Sequence, residues 1–281
     1  MNEWAVVVDS SADIRNDTYD MPTDIDLISV PLKILVGAMT FTDDDTLDVS
    51  KQIAAMRQEK KESLTACPAP GQFLEAYRGH KKVLCICMTG RLSGTYNAAR
   101  LAAEMYLEEE PEAMVHCVDS KSTGGSIVLL AKKALELIRS NDDFDAVAKQ
   151  IDEYNTHTSL VALLGGYENL VKAGRMSAFM GKVAEHLNIK AVIANTAEGT
   201  IDIRHKARGL RQAYRMMAED MKETKDMAGK PIIISHCNNE SGALLMCDLL
   251  VDMLATSDIE IMKCGGLTSF YVMEGGIIIG Y

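Results

Sequence analysis

The chain has 281 residues, 47% of them hydrophobic and 25% charged, enough length and apolar content for two packed cores. A formal net charge of −11 argues against a general nucleic-acid binder or a binder of anionic membranes, because long-range repulsion opposes both. No run approaches the ~18 uninterrupted apolar residues of a membrane span, so no stable membrane insertion is expected.

The opening MNEWAVVVDSSAD lacks a basic region followed by a long apolar run, so it reads as a first strand rather than a signal peptide. WAVVVD, VLCICM and MVHCVD are continuous apolar runs bounded by small polar residues, as expected of strands buried on both faces. Between the first two lie the apolar VPLKILV, a turn at Gly37, a helix predicted over 49–60, and an extended lead, Leu64 to Gly71, into a helix starting near Pro70. Helices are predicted over 94–107, 126–139 and 144–156. This alternation predicts an N-terminal three-layer α/β/α domain with a parallel sheet, residues 1–156. Beyond it, SLVALL, KAVIAN, TIDIR, PIIISH, IEIMKC and GGIIIGY are strand-like, with helices near 208–223 and 241–255. They predict a C-terminal two-layer α/β domain with a mixed sheet, residues 157–281, packed on the first rather than tethered to it.

Seven cysteines, scattered and mostly in apolar runs, read as reduced structural thiols of a cytoplasmic protein. Cys85 and Cys87 should share one face of their strand. There is no Cys-x-x-Cys pair and no His at zinc spacing, so no metal site is expected. Seventeen methionines against five phenylalanines admit two readings: fillers of irregular core gaps, or a compliant wall for a flexible ligand.

Three predicted strands end in hydroxyl- or glycine-rich turns: Asp9-Ser10-Ser11, Thr89 to Thr95, and Asp119 to Gly125. In a parallel sheet such turns gather at the carboxyl edge, where their hydroxyls and helix N-termini favour an anion. Each residue alone is more often a cap or turn former. No P-loop, no Gly-x-Gly-x-x-Gly after the first strand and no Gly-x-Ser-x-Gly elbow is present. Donors without an evident base favour holding an anion over breaking a bond. In the second half, Arg175 follows a short helix stopped by Gly174. Arg204, His205, Lys206, Arg208 and Arg211 crowd together as either a solvated helix start or a basic patch for a phosphate or acidic partner.

Taken in order, VVVDSSADI, VPLKI with FTDDD after it, TACPAPGQF, TGRLSGTYNAA, VDSKSTGG, ENLVKAGRMS, KARGLRQA and GGIIIGY resemble the bacterial DegV family over essentially the whole chain. That family comprises the fatty-acid-binding subunits of fatty acid kinase. The resemblance implies a two-domain α/β protein that buries one long-chain fatty acid, with no other cofactor. It further implies that the chain is not itself an enzyme and presents the carboxyl to a separate ATP-dependent kinase. The family's head-group segments map onto Thr65, in TACP, with Ala66 at the usual serine, and onto Thr89, Gly90 and Ser93, with Thr89 and Gly90 where two serines are more common. Arg175 matches the family's arginine, and Arg208 a second, kinase-facing one. The family's histidine near the head group has no counterpart, and Tyr271 stands at or beside its place. That departure keeps open a kinase-independent lipid sensor or scaffold. Cys67, Ser93 and Ser122 keep open a hydrolase or acyl transferase with a Ser or Cys nucleophile.

Overall fold

The computed structural model describes residues 2–16, 20–59, 63–177 and 189–281. The first part of the chain runs β1 (Trp4–Asp9), a 3-10 turn (Ser10–Ala12), β2 (Asp26–Val30), β3 (Lys33–Val36), β4 (Met39–Thr42), α1 (Val49–Gln58) and β5 (Ser63–Ala66). It continues through α2 (Pro70–Tyr77), β6 (Lys82–Cys87), α3 (Thr95–Glu109), β7 (Met114–Asp119), α4 (Gly125–Ser140) and α5 (Phe144–Asn155). β1 and β6 are buried along their whole length, and they form the centre of a four-stranded parallel sheet of order β2-β1-β6-β7. Alternate residues serve opposite cores. Val6, Val8, Leu84 and Ile86 pack toward α4 and α5, while Ala5, Val7, Val83, Cys85 and Cys87 pack toward α2 and α3. The three layers are those the alternating runs predict. Cys85 and Cys87 do share a face, with their sulfurs 3.7 Å apart, and the seven cysteines are free thiols.

The helix bounds agree with expectation to within two residues. α1 is capped by Asp48 and α5 by Asp143, each accepting a backbone N–H of its first turn. The predicted end of α1, Lys60, lies outside the described residues. A feature not anticipated is a second, three-stranded antiparallel sheet of order β4-β3-β5. β3 and β4 are joined by the two-residue loop Gly37-Ala38, in which only Gly37 has positive φ, as a tight hairpin of the II′ kind requires.

The rest of the chain runs β8 (Leu160–Leu163), α6 (Glu168–Lys172), β9 (Ile189–Asn195), β10 (Ile201–Arg208), α7 (Leu210–Thr224), β11 (Ile232–His236), α8 (Glu240–Leu254), β12 (Ile259–Lys263), α9 (Gly266–Val272) and β13 (Ile277–Gly280). All six strand-like segments join one mixed sheet of order β10-β9-β8-β13-β11-β12, in which only β11 and β12 are parallel. α7 and α8 cover one face over a core that includes Met217, Met221, Met227 and Met246. α4 lies against the other face, so this helix, buried on most sides, sits between the two large sheets. Among the described residues no helix is long and apolar enough to cross a membrane.

Candidate functional site

Where the carboxyl edge of the parallel sheet, the small antiparallel sheet and the open face of the mixed sheet approach one another, they enclose a cavity of about 310 Å³. One wall is apolar. Leu160, Ala162 and Leu164 come from β8 and the residue after it, Ile193 and Ile278 from its neighbours in the sheet, and Leu267 and Val272 from α9. Strand alternation produces this wall, since Val161, Leu163, Ile277 and Ile279 point the other way into the core under α7 and α8. Among the described residues Met88 is the one methionine in the lining, while Met217, Met221, Met227 and Met246 fill the core under α7 and α8.

The facing wall carries hydroxyls. β5 pairs Thr65 with Ile34, whose side chain is fully buried against Phe270 and Tyr271. The same face aims Thr65 at α9, and its Oγ1 lies 2.8 Å from the Tyr271 hydroxyl. The Tyr271 ring is held edge-on to Phe270, centroids 4.9 Å apart. The small sheet therefore exists, as far as the cavity is concerned, to place Thr65.

Thr89 follows β6. Its N–H donates to the Ser122 carbonyl (2.9 Å), while its hydroxyl donates to the Gly199 carbonyl (2.9 Å) and accepts the Arg91 N–H (3.2 Å). Gly199 is obligatory here: its φ is +86°, and a Cβ would stand 2.3 Å from Thr89 Oγ1. Ser93 lines the cavity with its hydroxyl 2.7 Å from that of Thr95, and Ser122 donates to Ser126 (2.9 Å). Cys67 is exposed at the cavity wall.

α6 ends as predicted, with Gly174 at φ +71° and the N–H groups of Arg175 and Met176 returning to the Leu170 carbonyl. This turns Arg175 back toward the cavity, where its Nε donates to the Leu92 carbonyl (2.9 Å). The structure thus brings Thr65, Thr89, Ser93, Arg175 and Tyr271 to one cavity. Gly90 and Arg208 are not in its lining. Gly90 is exposed, and its N–H donates to the Asp119 carboxylate (3.2 Å). Arg208 ends β10, an edge strand rather than a helix start. A bulge between Ile203 and His205 puts Arg208 opposite Ile189, exposed on the sheet face that turns toward the cavity.

The three hydroxyl-rich turns do converge, through Met88 N–H to the Asp9 carboxylate (2.6 Å) and Gly124 N–H to the Ser11 carbonyl (2.9 Å). The first turn, however, serves the framework and not the cavity wall. Ser10 accepts the Leu32 N–H, and Asp13 and Asp43 grip the start of α9. Asp13 accepts from Gly265 (2.8 Å), and Asp43 from Gly266 (2.6 Å) and Leu267 (2.9 Å). Burial pushes the carboxyls of Asp9, Asp13 and Asp43 above their ordinary range, Asp13 well above it.

Residues of the lining that the sequence reading did not single out include Thr268, Asn195 and Thr200. Thr268 is buried on α9, its hydroxyl beside the Asp13 carboxyl yet without a completed hydrogen bond. The signal for it was the same as for the other turns: two glycines followed by hydroxyl residues, GGLTS. Among the described residues no three His, Cys, Asp or Glu side chains are grouped to hold a metal ion.

The sequence model described as "Uncharacterised protein, DegV family" matches residues 3–281. A DegV domain-containing protein of Streptococcus pyogenes serotype M1 is 36% identical over 278 residues, 99% of each chain. The fold superposes on the Streptococcus pneumoniae fatty acid kinase B3 protein loaded with linoleic acid, with TM-score 0.95, 34% identity, and coverage of 100% of this chain and 99% of that one. It also superposes on a DegV family protein from Eubacterium eligens loaded with heptadecanoic acid, with TM-score 0.93, 31% identity and coverage of 99% and 98%. With a family match over nearly its whole length and relatives of this similarity end to end, the chain belongs to the DegV family.

Proposed function

We propose that this chain binds one long-chain fatty acid in the cavity between its sheets, and presents the carboxyl to a separate ATP-dependent kinase rather than transforming it. The observation that carries the reading is the Thr65–Tyr271 hydroxyl pair, 2.8 Å apart, set in the wall of a cavity whose opposite side is apolar. The linoleic-acid-loaded and heptadecanoic-acid-loaded structures superpose on this chain over nearly its full length, which supports the same ligand class here. Burying ~14 methylenes at roughly 0.8 kcal/mol each offers on the order of 11 kcal/mol gross, from which association and chain ordering remove several. A buried carboxylate left without donors would cancel much of the rest, so the head must meet hydroxyls or N–H groups. Thr65 and Tyr271 supply them in this reading, with Thr89, Ser93 and Arg175 near by.

For presentation, Arg175 at the cavity and Arg208 on the adjoining sheet face are the groups a kinase carrying a nucleotide would meet. The second reading, a lipid sensor or scaffold that needs no kinase, is favoured by Tyr271, since a phenol donates a hydrogen bond but does not become cationic as a histidine does.

Native mass spectrometry of gently purified protein is expected to show one bound species of fatty-acid mass. Lipid-free protein that takes up neither palmitate nor oleate would defeat the binding proposal. Arg208→Glu should leave lipid content unchanged and slow acyl-phosphate formation by a cognate kinase; unchanged kinase kinetics would remove Arg208 from that role.

A further inference from the structure

β9 and β10 are joined by Thr196, Ala197, Glu198, Gly199 and Thr200, a turn that closes on itself. The Thr196 N–H donates to the Thr200 carbonyl (2.8 Å), the Gly199 N–H to the Thr196 carbonyl (3.0 Å), and the Thr200 N–H to the Thr196 hydroxyl (3.2 Å). The turn therefore keeps its own hydrogen bonds wherever the tip goes. Its base is fixed at Asn195, which donates to the Lys121 carbonyl (3.2 Å) and accepts the Leu160 N–H (2.8 Å). The tip reaches the lipid cavity, where Gly199 and Thr200 join the lining beside Thr89.

One side chain ties that tip to the opposite wall. Thr89, 1% exposed, donates its hydroxyl proton to the Gly199 carbonyl (2.9 Å), and the same oxygen accepts the Arg91 N–H (3.2 Å). A hydroxyl has a single proton, and a carboxylate only accepts. While Gly199 holds the proton, Thr89 has nothing to give an acyl head; a head that takes it leaves the Gly199 carbonyl without a donor. Among the described residues no other hydrogen bond reaches that carbonyl, so the tip then gains by turning it toward water. We propose that this turn is a strap latched by Thr89, that a bound carboxylate opens it, and that lipid occupancy is thereby displayed at the protein surface. The strap leads into β10, the edge strand that ends in Arg208. The inference rests on the fatty-acid reading above and adds to it a signal of loading.

Charge on the strap acts in the same direction. Glu198 is exposed at the tip, and its own backbone N–H, the Thr196 hydroxyl and the charges of Arg91 and Lys121 hold its carboxyl below the usual range. Those two cations flank the latch: Arg91 donates its N–H to Thr89, and a Cβ on Gly199 would stand 3.1 Å from Lys121 Cα. An acyl carboxylate arriving at Thr89 competes with Glu198 for both cations and repels it. Loss of the latch and repulsion of Glu198 both drive the tip outward, while Asn195 keeps the base in place.

The test uses the full-length chain, stripped of lipid and reloaded with oleate, with loading followed by native mass spectrometry. Amide order parameters of residues 197–200 are expected near the rigid value of about 0.85 in the empty protein and to fall toward about 0.6 in the loaded one. Ala194, in β9, should stay rigid in both. Thr89→Val should give the low values without lipid, and oleate should change them no further. Thr89→Ser, which keeps the hydroxyl, should behave as the parent. A loaded strap as rigid as the empty one, or an empty Thr89→Val strap as rigid as the parent's, would overturn the proposal. Absence of oleate uptake would instead sink the lipid reading and the opening by lipid with it, and the empty Thr89→Val protein would still decide the latch.

Discussion

The mixed sheet meets the N-terminal part of the chain in two contrasting ways a short distance apart. At the amino end of α4 it closes backbone to backbone on that helix. A Cβ on Gly280 would stand 2.2 Å from Gly125 C and Ser126 N, and one on Gly125 would stand 2.8 Å from Ile233 Cβ. Beyond that joint they part around about 310 Å³ of space lined by whole side chains. The joint depends on missing atoms and the hollow on added ones, so substitutions should affect stability and ligand binding separately.

Gly280→Ala gives the largest expected effect. The new methyl meets backbone, which has no rotamer to yield, so a loss of about 3 kcal/mol or more in urea unfolding is expected. A loss below about 1 kcal/mol would show that the joint is loose. Thr65→Val tests the hollow. Stability should hardly move, while fatty-acid affinity falls by roughly 1–3 kcal/mol from the stranded carboxylate. Since Thr65 and Tyr271 share a hydrogen bond, Tyr271→Phe should be non-additive with it by at least about 0.5 kcal/mol. Additive losses in calorimetry would mean that the two hydroxyls act apart. Gly199→Ala lies between the two regimes. Positive φ costs a residue with a Cβ about 1–2 kcal/mol, and the methyl pushes on Thr89 Oγ1. Both unfolding free energy and lipid retention should therefore drop; a fall in stability alone would remove Thr89 from the ligand.

What could be read from the sequence divides along similar lines. β1 and β6 announce themselves because burial on both faces makes them continuous apolar runs. Motif order singled out Thr65, Thr89 and Ser93 for a head group and Arg175 for a kinase-facing role, and the structure lines one cavity with all four. The small sheet was not legible, since its four-residue strands exist only through the pairing of Lys33–Val36 with Ser63–Ala66, nearly 30 residues on. Nor was α9. Gly266, Leu267, Thr268, Ser269, Phe270, Tyr271 and Val272 include several weak helix formers, and the helix stands because two buried carboxylates from remote turns take its first N–H groups. Gly90 looked like a free donor and is not one, because Asp119 reaches back to it from the neighbouring strand end.

Asp13 offers the smallest and most selective probe, because it touches both the framework and the cavity wall. Its Oδ1 accepts the Gly265 N–H, while Oδ2 is buried without a hydrogen bond, beside the equally unsatisfied hydroxyl of Thr268. Burial, aided by the charge of Asp43, raises its pKa well above 3.8. A folded-state pKa above the unfolded one means that the native protein retains a proton that the unfolded chain releases. The resulting stabilisation is complete below about pH 4 and is lost as pH rises through the raised value. Asp13→Asn keeps the Oδ1 acceptor, puts an N–H₂ donor where Oδ2 was, and does not titrate. The stability of the variant relative to the parent should therefore increase as pH rises from about 4 toward neutrality, measured by paired urea unfolding at several pH values. Acid titration of the other carboxylates cancels in that difference. A difference that stays flat across the range would mean that Asp13 is ionised in the native protein, and that its charge is carried by the amino end of α9.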